Sequence, residues 1–216
     1  MSKSMPRRPD NPPRPVGPPP DRASLRAAAE AHIARFAATE RGLAQVLERR
    51  ITRWGRRAAE DGQDSTTVTE TVNRIRPLAG EIAHEMVELG AVNDQAFAKS
   101  RAARLTRSGR SRRAVQAQLA AKGIAPDEAT QAMEEALGDD DAARDAELAA
   151  ALIFARKRRA GPFRRDTESA DMPPEDEIRI YSAFARAGFS HTVAEKALSM
   201  DPEEAETRIF TLKANL

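Results

Sequence analysis

Shifting the sequence against itself by 65 residues superimposes Val115 on Ile180, Leu119 on Phe184, Ala120 on Ala185, Gly123 on Gly188 and Ile124 on Phe189. The register persists past the glycine, where Ala129 meets Ala194, Ala132 meets Ala197 and Met133 meets Leu198. An apolar helix, a glycine turn, an apolar anchor and a second apolar helix thus recur in one order. A glycine just past a helix can adopt the left-handed conformation that returns the next residue onto the helix it follows. Units this small are marginal alone and are stabilised by stacking on neighbours. A weaker third copy lies around Leu43, Leu47 and Ile51. The pattern predicts helical modules in tandem, in an elongated molecule, rather than one large core.

Composition agrees with small cores. Alanine supplies 42 of the 216 residues, whereas Leu, Ile, Val and Phe together supply only 37. So little apolar bulk would suggest disorder if net charge were high, but the formal charge is only +2. Alanine is the best helix former and contributes little buried area. With one Tyr, one Trp, eight Val and no long alternating run, sheets are not expected and the class is all-α. The absence of Cys excludes disulfides, thiolate zinc sites and cysteine nucleophiles, and fits a reducing cytosol. No apolar stretch approaches the roughly 20 residues of a membrane span, and the N-terminus lacks a signal-peptide core. A soluble, cytoplasmic monomer is expected.

Eight of the 14 prolines fall in the first 20 residues, so residues 1–23 read as a disordered, mildly basic tail. Helical periodicity then suggests a degenerate first module over 24–67, a second over 68–138 and a third over 139–216. Pro77 either kinks a helix or starts one, and Gly90 ends it. Asn93 or Asp94, Ser111 and Asp201 are suited to cap helices, and Pro126 suits a first turn.

No catalytic constellation is readable. The 11 glycines form no dinucleotide-binding or phosphate-loop spacing. The run His84-Glu85-Met86-Val87-Glu88 approaches the HExxH zinc motif, but Glu88 stands where the second His is needed. It reads as an amphipathic helix with Met86 inward. No metal, no cofactor and no enzymatic activity are expected.

Charge distribution says more than its total. From Lys99 to Arg113 there are seven cations, Lys99, Arg101, Arg104, Arg107, Arg110, Arg112 and Arg113, and no acid. Three of these arginines gather at the start of a helix, where cations oppose the macrodipole. Converging guanidinium groups and free amides at such a helix end suit a phosphate or a carboxylate. Further basic blocks occur from Arg49 to Arg57 and from Arg156 to Arg165, giving each module a patch of its own, with acidic runs between. Aromatic residues are nearly missing beside these patches in the sequence, which argues against base stacking on single strands.

The segment Leu89 to Ile124 resembles the central module of the RecX family of bacterial regulators: Asn93-Asp94 precede Phe97-Ala98, a basic turn contains Gly109, Arg110 and Ser111, and Lys122-Gly123-Ile124 ends a helix. Arg186 to Leu198 resembles the family's last module, and the likeness extends from about Ala37 to Glu206. The first module departs from the family in lacking a Lys/Arg-Gly turn after Ile51 and in carrying Pro77. The resemblance implies tandem three-helix modules in an elongated, curved molecule. It also implies binding to the RecA recombinase, chiefly its filament on single-stranded DNA, and damping of its ATPase, coprotease and strand-exchange activities. The expected surface for RecA and DNA phosphates comprises Lys99, Arg101, Arg104, Arg107, Arg110, Arg112, Arg113 and Lys122. One alternative is a DNA-binding protein acting without RecA, with Ser111 to Leu137 as a helix-turn-helix. Another is a general protein-interaction module, since Gly188-Phe189 is similar to the turn of ubiquitin-associated bundles.

Overall fold

A computed structural model describes residues 16–164 and 174–216. Expectations for residues 1–15, for Arg165 and for the acidic residues before Pro174 lie outside the described residues. Those described form eleven α-helices and a short 3-10 turn, with no strand among them.

The helices gather around three separate cores. Helices α1 (Arg22–Ile33), α2 (Glu40–Glu60), α3 (Ser65–Ile75) and α4 (Leu78–Glu88) enclose the first, with Leu25, Leu43, Leu47, Ile51, Ile82 and Met86 at its centre. Helices α5 (Asp94–Arg107), α6 (Arg112–Ala121) and α7 (Pro126–Leu137) enclose the second around Leu105, Val115, Leu119, Ile124 and Met133. The third is built from α8 (Asp140–Arg158), the turn Gly161–Phe163, α9 (Pro174–Ala187), α10 (His191–Leu198) and α11 (Pro202–Asn215). Its heart is aromatic, with the Phe154, Phe184 and Phe189 rings 4.8 to 5.6 Å apart. The middle unit has three helices, and each flanking unit carries a fourth.

Two expected boundaries shift. Periodicity assigns residues 68–89 to the middle module, yet Ile75, Ile82 and Met86 join the first core and Val72 packs against it. The cause is Gly55 on α2, where a Cβ would lie 2.7 Å from Val72 Cγ2, so α3 can approach α2 closely. Pro77 begins α4 rather than kinking a longer helix. The other correction concerns the tail, because residues 16–23 are placed against the first module. Asp21 caps α1, and the Trp54 indole donates to Gly17 C=O at 2.9 Å. Pro18, Pro19 and Pro20 share a cleft with Trp54, Arg50, Arg53 and Arg57. A proline-rich strand has little backbone freedom to lose on docking, which lowers the cost of such a contact.

The modules are joined by the same device twice. Thr39 caps α2, accepting from Gly42 N–H at 3.0 Å while its hydroxyl donates to Lys122 C=O at 2.7 Å, at the end of α6. Ser111 caps α6, accepting from Ala114 N–H at 3.2 Å while donating to Ala187 C=O at 2.6 Å, at the end of α9. Both residues are buried. One hydroxyl thus satisfies an orphan amide of its own helix and an orphan carbonyl of the next module. A carboxylate reinforces each joint: Glu40 N–H donates to Asp94 Oδ1 at 2.9 Å, and Arg112 N–H to Glu147 Oε2 at 2.7 Å. The acceptor carbonyls immediately precede Gly123 and Gly188, at φ of 92° and 90°. Glycine is required there for conformation and for space, since a Cβ on Gly188 would lie 2.7 Å from Ser111 Oγ and one on Gly123 would lie 2.5 Å from Arg41 Cδ.

The joint predicts distinct stability effects. Ser111→Ala should cost about 1–3 kcal/mol in denaturant unfolding, because it removes a cap and strands a buried carbonyl. Gly188→Ala should destabilise comparably. Gly80→Ala, whose new methyl meets nothing within 4 Å in α4, should be neutral or stabilise by up to about 1 kcal/mol. Burial pushes the Glu147 carboxyl above its usual range, opposed by the hydrogen bond from Arg112 N–H. A raised folded-state value means that stability gained in acid is lost as pH rises through it. Glu147→Gln keeps an acceptor without the charge, so its stability relative to wild type should improve from acid toward neutral pH. Finally, replacing Pro18, Pro19 and Pro20 by Ser should expose the single tryptophan, red-shifting its emission and raising its quenching by acrylamide while helicity is retained.

Candidate functional site

The helix-end signals fold locally as their sequence suggests. Asn93 caps α5 through Ala96 N–H at 2.8 Å, Ser111 caps α6, and glycines at 109 and 123 turn the chain after α5 and α6. These turns bring the basic residues of the middle module to its two ends, where they meet cations contributed by its neighbours.

Between the first and second modules lies a groove of about 720 Å³. Arg101 and Arg104 enter it from α5 and Lys122 from the end of α6, opposite Arg35 from the segment joining α1 and α2. No acidic residue lines it. Buried Val92 and half-buried Ile33 and Ala38 give it an apolar floor, and two aromatic side chains, Phe36 and Phe97, also line it. Phe36 is 55% exposed, with the Arg35 guanidinium 5.6 Å from its ring centre and the His32 ring tilted against it at 5.3 Å. The Arg101 side chain is half-buried. One terminal nitrogen reaches Gln118 Oε1 at 3.3 Å, while its buried Nε has no partner among the described residues.

A second cleft, of about 430 Å³, lies between the second and third modules. Arg110 faces Lys157 and Arg158 across it. Lys157 donates to Ser108 C=O at 2.7 Å, and the Arg158 guanidinium lies over the Phe154 ring at 4.2 Å. Such stacking holds a guanidinium in place while leaving its edge free to donate.

The eight residues expected to share a surface therefore do not form one patch. Arg101, Arg104 and Lys122 come together in the first groove, and Arg110 lies in the second cleft. Lys99 turns toward α7 and lies 3.9 Å from Glu135. Arg107 is exposed and makes no ion pair among the described residues. Arg112 and Arg113 belong to the joint, the former through its backbone and the latter through a side-chain stem that covers Gly188. The start of α6 is not an open anion site, because the Glu147 carboxylate and the Ser111 hydroxyl already occupy its amides. Sequence reasoning missed Arg35, Phe36 and Phe97, and did not pair Lys157 and Arg158 with Arg110. Arg35 and Phe36 are distant in sequence from the α5 arginines, as Lys157 and Arg158 are from Arg110, whereas Phe97 lies one and two turns before Arg101 and Arg104 on the same helix. The expected scarcity of aromatics beside the basic blocks does not hold, since Trp54, Phe97 and Phe163 lie in or next to them and Phe36 reaches the α5 arginines through the fold.

His84 contacts Glu40 at 3.1 Å and is exposed, while Met86 is buried, so the HExxH-like run is an amphipathic surface helix. No cluster of three metal-ligating side chains occurs among the described residues, and no helix there is long and apolar enough to cross a membrane.

Comparison with known proteins places this geometry. The family model described as the second three-helix domain of RecX matches residues 93–133, which span α5, the Ser111 joint, α6 and most of α7. A protein named Regulatory protein RecX from Myxococcus xanthus is 32% identical over 182 residues, covering 82% of this chain and 86% of that protein. One of the same name from Agrobacterium fabrum is 38% identical over 116 residues, covering 54% of this chain and 56% of its own length. No solved structure matches. A relation running through most of the chain, joined to an all-helical modular fold whose middle unit fits the family's own domain, makes this chain a member of the RecX family of regulatory proteins.

Proposed function

We propose that this protein binds RecA, chiefly as the filament on single-stranded DNA, and dampens its ATPase and recombinase activities without catalysing a reaction of its own. The partner is what membership of the family implies. The observation that carries the reading is the pair of cationic recesses at successive module joints. Two such recesses in series can engage a composite surface of protein and phosphate at separated points, and multivalent contact raises avidity without requiring either contact to be tight. The protein works in the cytoplasm as a monomer.

A helix-turn-helix reader acting without RecA is less well supported. The second helix of that motif would be α7, which carries Asp127, Glu128, Glu134 and Glu135 and no Lys or Arg. Such a helix would be repelled by phosphates. The first helix, α6, has its N-terminus engaged in the joint with the third module.

The test follows ATP hydrolysis by preformed RecA filaments on single-stranded DNA as purified protein is added. Inhibition should occur at amounts well below the RecA monomer concentration, and its absence would count against the reading. Arg101→Glu with Arg104→Glu should raise the concentration needed by at least about tenfold, equivalent to about 1.4 kcal/mol, with unchanged helicity. Tight, sequence-specific binding to bare DNA without RecA would favour the alternative.

A further inference from the structure

We infer that the groove between the first and second modules is a docking site for an acidic peptide segment bearing a large apolar side chain, presented by the protein partner, whereas the cleft at Arg110 serves phosphate. The inference deepens the proposed function and rests on it for the identity of the partner.

Charge complementarity commits the occupant. Arg35, Arg101, Arg104 and Lys122 converge on the groove with no acidic neighbour in its lining, so it favours an anion. The Arg35 and Arg104 guanidinium groups are exposed at the groove and make no ion pair among the described residues. A carboxylate matches the planar fork of such a group and can take two of its donors together.

The apolar half of the groove distinguishes peptide from nucleic acid. Interfaces with nucleic acid are strongly polar and positively charged throughout. Protein interfaces instead place aromatic and Arg anchors around an apolar, desolvated centre. Buried Val92 with half-buried Ile33 and Ala38 makes such a centre here, with Phe36 and Phe97 beside it. Phe36 is among only four large apolar side chains exposed beyond half among the described residues, and it is the one that lines this recess. The Arg110 cleft contrasts with this, since its one apolar ring, Phe154, is covered by Arg158.

The test compares two labelled probes by fluorescence anisotropy on the full chain. One is a capped peptide with a single Phe flanked on both sides by Glu, and the other is single-stranded oligothymidine. Peptide affinity should fall at least about tenfold in Phe36→Ala and in Arg104→Glu, and stay unchanged in Arg158→Glu. Oligothymidine should show the opposite pattern and should not compete with the peptide. Circular dichroism melts check that each variant is folded, and Phe36→Ala truncates an exposed side chain. The inference is overturned if the peptide does not bind the wild type, if Arg158→Glu weakens it as much as Phe36→Ala does, or if oligothymidine displaces it. Filament ATPase measurements separate the two readings. Wild type that binds the peptide but leaves RecA uninhibited removes the RecA assignment alone, whereas wild type that inhibits RecA but does not bind the peptide removes the groove assignment alone.

Discussion

A buried hydroxyl shared between the start of one helix and the end of another is the constraint on which the arrangement depends. Thr39 and Ser111 each sit where two helix termini would otherwise bury unsatisfied backbone groups, and each satisfies one group on both sides. The helices can come that close only because the turn after the accepting carbonyl is a glycine without a side chain. Once the termini are locked, Asp94 and Glu147 are partly removed from water, which pushes both carboxyls upward against the opposing hydrogen bonds from the Glu40 and Arg112 amides. The joints also bring together cations from neighbouring modules, Arg35 with Lys122 at the first and Arg110 with Lys157 and Arg158 at the second.

The thinness of the individual cores makes these joints matter. Alanines at 29, 79 and 83 in the first core and at 98, 102, 129 and 132 in the second bring helix axes close without adding much apolar area. The third core depends less on alanine alone because it contains the Phe154, Phe184 and Phe189 cluster. Hydrogen bonds satisfied between modules therefore supplement burial within them.

What the sequence revealed was mostly local. Asn93, Ser111 and Asp201 announce their helices because a cap acts within one turn, and the 65-residue repeat is visible because the Gly123 and Gly188 turns need the same residue types. The periodicity of Val72, Ile75, Ile82 and Met86 showed that those helices have an apolar face but not which core would receive it. Gly55, which decides the matter, lies inside α2 and acts through a close contact with Val72, 17 residues away in sequence. At the site, the density of arginines from Arg101 to Arg113 was plain, whereas their division between two recesses depends on contacts with Arg35, Phe36, Lys157 and Arg158. The apparent anion site at the start of α6 was misleading because its occupant, Glu147, lies 35 residues away.

Both joints are made in the same sense: the beginning of the second helix of one module rests on the finish of a later helix in the module that follows. Contacts of this head-to-tail kind have no two-fold symmetry. The array therefore has an arrow. Laid along a track whose own subunits all face one way, it can bring its recesses into register in one orientation only, and the reversed placement would present the acidic face of α7 in a different order relative to the cations. Directionality of this sort makes the order of engagement, the first groove before the second cleft or the reverse, a property of the fold itself.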